Sequence, residues 1–154
     1  MNTRLAIDSM EMIPIGKAFA ARFAIKNSAE WLRVRGYRHS GEHGPAIAWY
    51  EYLINAEYAA VGRLLPRHVG PIIPLIEDLF STKIVTVEYS IKAVPMVAEH
   101  ASTLQVDAGS PSLTVVARCE TSEKKIAMIT TSLNRGSDVG YSITLRDKTT
   151  QTTD

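Results

Sequence analysis

The sequence predicts an α+β domain: a mainly antiparallel β-sheet with helices packed on it. Two hairpins and the short helical stretches between them carry that prediction. "AEWLRVRGYRH" and "PAIAWYEYLIN" alternate as strands on either side of the turn "SGEHG", giving a hairpin over residues 30–54. Farther on, Gly109, Ser110 and Pro111 form a turn, after which Leu113, Val115 and Ala117 alternate with Thr114, Val116 and Arg118. The polar break "ETSEKK" then returns the chain into "KIAMITTSLN". Strands joined by such short breaks pair antiparallel, because parallel pairing needs a long crossover.

The remaining elements follow in order. The first dozen residues are weakly patterned, with a short strand expected near Leu5 to Ile7. "GKAFAARFAI" places Ala18, Phe19, Arg22 and Phe23 at helical spacing, a short amphipathic helix. "AEYAAVGRLL" reads as a helix stopped by Pro66. In "GPIIPLIEDLFS", Ile72, Leu75, Ile76, Leu79 and Phe80 form one apolar helix face, with prolines in the first turns. "KIVTVEYSIKAV" is a strand with Val85, Val87, Tyr89, Ile91 and Ala93 on one face. "PMVAEHASTL" begins a helix at Pro95, exposed at His100. "RGSDVGYSITL" reads as a third strand completing a C-terminal meander, and the Thr-rich residues 148–154 as a flexible tail.

Composition narrows the function. The 154 residues suit one domain, and 45% hydrophobic residues suffice for a core. Lys and Arg number 17 against 16 Asp and Glu, a balance that argues against nucleic acid as a direct partner. The lone Cys119 forbids an internal disulfide and reads as a packed core thiol. No apolar run reaches the roughly 20 residues of a membrane span. The N-terminus also lacks the basic and apolar regions of a secretory signal. A cytoplasmic protein without a membrane partner is the expectation.

No phosphate-binding loop, dinucleotide fingerprint, HExxH or GxSxG motif occurs, and the four histidines lack metal-ligand spacing. Neither a metal, a cofactor nor a catalytic residue is expected. What remains is polar side chains on strands. Arg33 and Arg35 share a strand face with Trp31, whereas Arg38 shares the other with Leu32 and Val34. Trp49 and Glu51 share a face of the return strand. Thr86, Glu88, Ser90 and Lys92 lie opposite the apolar stripe of their strand, and Met128, Thr130, Ser132 and Asn134 line one face of theirs. Each set is either a solvated sheet face or part of a pocket wall.

The stretches "WLRVRGYRHSGEHGPAIAWYEYL", "GPIIPLIEDLFSTKIVTVEYSIKAV", "DAGSPSLTVVAR" and "SLNRGSDVGYSITLRD" resemble, in order and spacing, the UTRA domain of HutC-type regulators in the GntR family of bacterial transcription factors. The likeness covers about residues 10–147. It implies a chorismate-lyase-like fold, a homodimer, and a pocket for a small-molecule effector in a domain spanning residues 1–147. The winged-helix DNA reader that normally precedes this module has no room before Gly16, so DNA would be contacted only through a domain outside these residues. Two other readings follow from the same likeness: a lyase-type enzyme on the shared fold, or a dimerisation module with a degenerate pocket.

Carried over residue by residue, the family's ligand-binding arginine matches Arg38, with Arg35 as substitute, while its earlier arginine falls on Gly36. Its pocket glutamate matches Glu51, with Tyr50 in an alternative register. The glutamate and tyrosine of phosphosugar-binding members fall on Met128 and Asn134, which speaks against a phosphosugar. The expected ligand-binding set is therefore Arg35, Arg38, Trp49, Glu51, Glu88, Ser90, Thr130, Ser132 and Asn134, arranged around an acidic group.

Overall fold

Six strands run antiparallel in the order β1-β2-β3-β6-β5-β4. They are β1 (Thr3–Pro14), β2 (Glu30–Ser40), β3 (Ala46–Asn55), β4 (Ile84–Pro95), β5 (Pro111–Thr121) and β6 (Ile126–Arg135). A computed structural model of the chain describes residues 3–25 and 30–147. The tail expected over 148–154 lies outside the described residues. Helices α1 (Lys17–Phe23), α2 (Ile72–Phe80) and α3 (Ala98–Ala101) and two 3-10 turns, Ala56–Arg63 and Leu65–Arg67, cover the sheet.

Both predicted hairpins form, β2 with β3 and β5 with β6. Because opposed residues of an antiparallel pair share a face, the register sorts side chains into two layers. On one face Leu32, Val34 and Ile54 pack under Tyr58, Val61 and Leu65 of the 3-10 turns and Ile72 and Ile76 of α2. On the other, Ala20 and Phe23 of α1 pack on Trp31, Leu53 and Ile129. Around α3, Met96, Ala101 and Leu104 pack on Leu133. Val34, Ile54, Val61 and Ile76 are wholly buried, each worth about 1.5–3 kcal/mol by transfer from water.

Several expectations need correction. The N-terminal strand is 12 residues long. A bulge between Ile7 and Ser9 puts Leu5, Ile7, Met10 and Met12 opposite Arg38, Gly36, Val34 and Leu32. That one-residue slip breaks the period-two signal, so only its first half is legible. "AEYAAVGRLL" winds as 3-10 turns, and Pro66 lies inside the second rather than after the last. Pro95 ends β4 instead of starting a helix, and α3 begins only at Ala98. Its His100, expected to be exposed, is buried. Finally, the third strand of the C-terminal meander is not formed: residues 139–147 have no regular structure. Both sides of β6 are already occupied, by β3 and β5, so no strand can add to it.

Candidate functional site

The half of the sheet not covered by α2 opens into a cavity of about 450 Å³. Its floor is Val115, Ala117 and Cys119 of β5 and Met128, Thr130 and Ser132 of β6, its walls Tyr50 and Tyr52 of β3, Val87 and Tyr89 of β4, and Tyr141. The N-terminal end of α2 closes one side through Gly70, Pro71, Ile72 and Ile73, with Thr3 and Arg38 beside it. An adjoining cavity of about 390 Å³ shares Thr3, Arg38 and Tyr50 and is bordered by Asn134. Concave, mostly apolar and furnished with a few polar groups, this is the form of a small-molecule site.

Arg38 is its one buried cation among the described residues. Its Nε donates to the Tyr52 hydroxyl at 2.9 Å, and Nη1 donates to Thr3 Oγ1 at 3.0 Å and to the Gly70 carbonyl at 3.1 Å. The guanidinium lies 5.5 Å from the ring centre of Tyr50 and 5.8 Å from that of Tyr52. None of the ion pairs among the described residues involves Arg38. Gly70 presents its carbonyl at φ +99°, a backbone geometry that favours glycine. Burial pushes the Tyr52 hydroxyl up to about 12, against the opposing pull of Arg38. Tyr52 is therefore a neutral hydroxyl across the working range.

Helix α2 adds a second feature of the same sign. It begins at Ile72 with no side-chain cap and no acidic residue in its first turn. Its first amides and the positive end of its dipole therefore border the cavity uncompensated. On the floor, Asn134 Nδ2 donates to Ser132 Oγ at 2.9 Å and to the Leu113 carbonyl at 3.3 Å.

The residues singled out from sequence divide between the two faces. Arg38, Thr130, Ser132 and Asn134 border these two cavities. Arg35, Trp49, Glu51, Glu88 and Ser90 lie on the opposite face. There Arg35 Nε donates to Glu51 Oε2 at 2.7 Å, and Trp49 stacks on His100 with ring centres 4.6 Å apart. Glu88 and Ser90 are exposed on the edge strand β4. Of the two registers considered for the return strand, the one that brings Tyr50 to the cavity is found. At Gly36, where the family's earlier arginine falls, a Cβ would collide with the Ala6 carbonyl oxygen of β1. No side chain fits there unless β1 moves.

Sequence reasoning missed Thr3, Tyr52, Gly70 and the start of α2. Only Tyr52 left a signal, since it alternates in phase with Tyr50 and Ile54, on the sheet face shared with Arg38. Among the described residues, no group of histidine, cysteine and carboxylate side chains could hold a metal, and no helix is long and apolar enough to cross a membrane.

A six-stranded antiparallel sheet with helices on both faces and a half-open, arginine-bearing cavity defines an α+β domain. The sequence profile of the UTRA domain matches residues 1–139, and the chain belongs to that family. No curated protein sequence gives a significant match. Among solved structures, a ligand-binding domain ascribed to a GntR-family transcriptional regulator of Bordetella bronchiseptica superposes with a TM-score of 0.79 at 16% identity, covering 94% of this chain and 92% of that one. The effector domain of PhnF from Mycobacterium smegmatis gives 0.80 at 12% identity, over 94% and 88%. Whole PhnF gives 0.80 at 13% identity, over 95% of this chain and 64% of its own. At such identities the likeness is one of fold.

Proposed function

We propose that this domain is the effector-sensing part of a GntR-family, HutC-type transcription regulator. It binds a small metabolite through an acidic group and acts as a homodimer in the cytoplasm, without catalysis. DNA would be read by a winged-helix domain outside these residues. The observation that carries the reading is Arg38: a buried guanidinium on the cavity wall, held by three neutral partners and, among the described residues, by no carboxylate, beside the uncapped start of α2.

Burying a cation without a counter-charge is costly, and the cost is recovered when an anion arrives. The bonds from Arg38 to described residues use Nε and Nη1, which leaves Nη2 for the occupant. A carboxylate or phosphate there would also meet the free amides of Ile72 and Ile73. Tyr52, whose oxygen accepts from Arg38, has its own proton to donate into the cavity. Thr130 and Ser132 supply neutral hydrogen bonds, and Tyr50, Val115 and Met128 an apolar bed.

A thermal-shift screen of small carboxylates and phosphates tests the reading. A ligand at 100 times its Kd stabilises the folded state by about 2.7 kcal/mol, so true effectors raise Tm by several degrees. A screen in which anions give no shift while neutral or cationic metabolites do would count against it.

A further inference from the structure

Away from Arg38 the larger cavity is poor in polar groups. Among the described residues that line it, Arg38 carries the only charge, and no carboxylate borders it. Of the floor, Val115, Ala117, Cys119 and Met128 offer at most the weak hydrogen bond of a thiol. Ser132 Oγ already accepts from Asn134, which leaves Thr130 as the floor's other hydroxyl. Burial pushes the Cys119 thiol up to about 11 and the Tyr52 hydroxyl up to about 12, the signature of a wall short of water. On the open side the rings of Tyr89 and Tyr141 stand 61% and 51% exposed, and with Tyr50 they give that floor an aromatic wall.

Each feature selects against a class of occupant. The hydroxyls of a sugar laid on Val115, Ala117 and Met128 would lose water and find no partner. An ammonium group would be buried with no carboxylate to pair with. The Arg38 charge balances one negative charge, whereas the second charge of a phosphate monoester would meet only the partial charge at the start of α2. Asp138 and Arg135 border the adjoining cavity, but they are paired with each other.

We propose that the occupant is a monocarboxylic acid with an apolar body, aryl or alkyl, and neither a sugar phosphate, a sugar acid nor an amino acid. The inference rests on the anion-binding reading of Arg38 given above and adds the chemistry of the rest of the ligand. The carboxylate meets Arg38 Nη2 and the first amides of α2. The body lies on Val115, Ala117 and Met128 under the tyrosine rings, where removing apolar surface from water supplies the affinity.

Titration of the full chain with matched acids, followed by NMR or calorimetry, tests this. Phenylacetate, phenylpropionate and phenylbutyrate should bind with affinity rising about three- to fourfold per methylene. Phenylpropionate should bind at least about tenfold more tightly than phenylalanine, which adds only the ammonium group, and cyclohexanecarboxylate likewise more tightly than glucuronate, which adds hydroxyls. Phenylacetate should outbind phenyl phosphate. Val115→Thr, nearly isosteric, should narrow the gap between cyclohexanecarboxylate and glucuronate. Affinity that stays flat along the series, or a polar member of any pair that binds as tightly as its apolar counterpart, would overturn the ligand class. If that binding is still lost in Arg38→Met, the sensing role stands. Failure of these acids alongside Arg38-dependent binding of other anions would also overturn only the class. Failure of every anion would overturn both.

Discussion

Arg38 Nε stands 2.9 Å from the hydroxyl of Tyr52, one residue from β2 and one from β3, their side chains on the same face of the sheet. This contact joins core to site. Tyr52 belongs to the buried cluster under the 3-10 turns and α2. Arg38 projects from it toward the cavity, held also by Thr3 of β1 and Gly70 before α2. Three separate parts of the chain thus fix one guanidinium, the preorganisation a specific site requires.

Replacing Arg38 should therefore damage binding far more than folding. Arg38→Met removes a charge-assisted contact worth about 1.5–3 kcal/mol to an anionic ligand, a loss of roughly 10- to 150-fold in affinity. In the ligand-free protein the lost hydrogen bonds are offset by relief of a buried, unpaired charge. Urea unfolding should then show a change within about 1 kcal/mol. A collapse of the unliganded fold would make Arg38 a structural residue instead.

The arginine that precedes it on the other face of β2 should behave oppositely. Arg35 pairs with Glu51 on that face, partly exposed, and such pairs contribute about 0–1 kcal/mol. Arg35→Ala should leave ligand affinity unchanged within experimental error, measured by calorimetry, with little loss of stability. A loss matching that of Arg38→Met would return the site to the opposite face.

An acid limb is expected in the stability profile. His100 is buried, accepts or donates at Nδ1 to the Tyr37 hydroxyl at 2.7 Å, and stacks on Trp49. Burial lowers its pKa, with the Glu99 carboxylate opposing. The folded state therefore binds its proton less readily than the unfolded chain. The stability this gives is present above the ordinary value of 6.5 and is lost as pH falls below it. Chemical denaturation at about pH 7.5, 6.5 and 5.5 should show the decline. His100→Gln, which keeps a hydrogen bond to Tyr37 but cannot titrate, should reduce it.

At the alkaline end the sign reverses. Burial pushes Cys119 from 9.0 up to about 11 and Tyr52 from 10.0 up to about 12. Both stay protonated in the folded state after the unfolded chain has lost its protons. Their contribution is intact below pH 9 and declines as pH rises toward 11 and then 12. Cys119→Ala should move the onset of the decline above about pH 10, followed by denaturation at about pH 8, 9, 10 and 11. An onset unchanged by the substitution would contradict this assignment.

Much of the sheet was legible because strand parity is a local property. Both hairpins, and the division of Arg33 and Arg35 from Arg38, follow from alternation alone. Which polar stripe faces a cavity is not local. Both faces of this sheet carry helices, so Glu51 and Arg38 look equally buried until the register of β2 with β3 is set. The second half of β1 was hidden by its bulge, and the fate of "YSITL" by the occupancy of both sides of β6. Thr3 and Gly70 reach Arg38 from 35 and 32 residues away, a separation over which no periodicity speaks.

The central claim is that Arg38 receives an anionic group in the cavity. Its most direct test is calorimetric titration of one screening hit and of its neutral amide or ester analogue into wild type and Arg38→Met. The acid should bind wild type at least about tenfold more tightly than the variant, while the neutral analogue binds both alike and weakly. Equal binding of the acid to both proteins, or an analogue that binds wild type as tightly as the acid, would contradict the account.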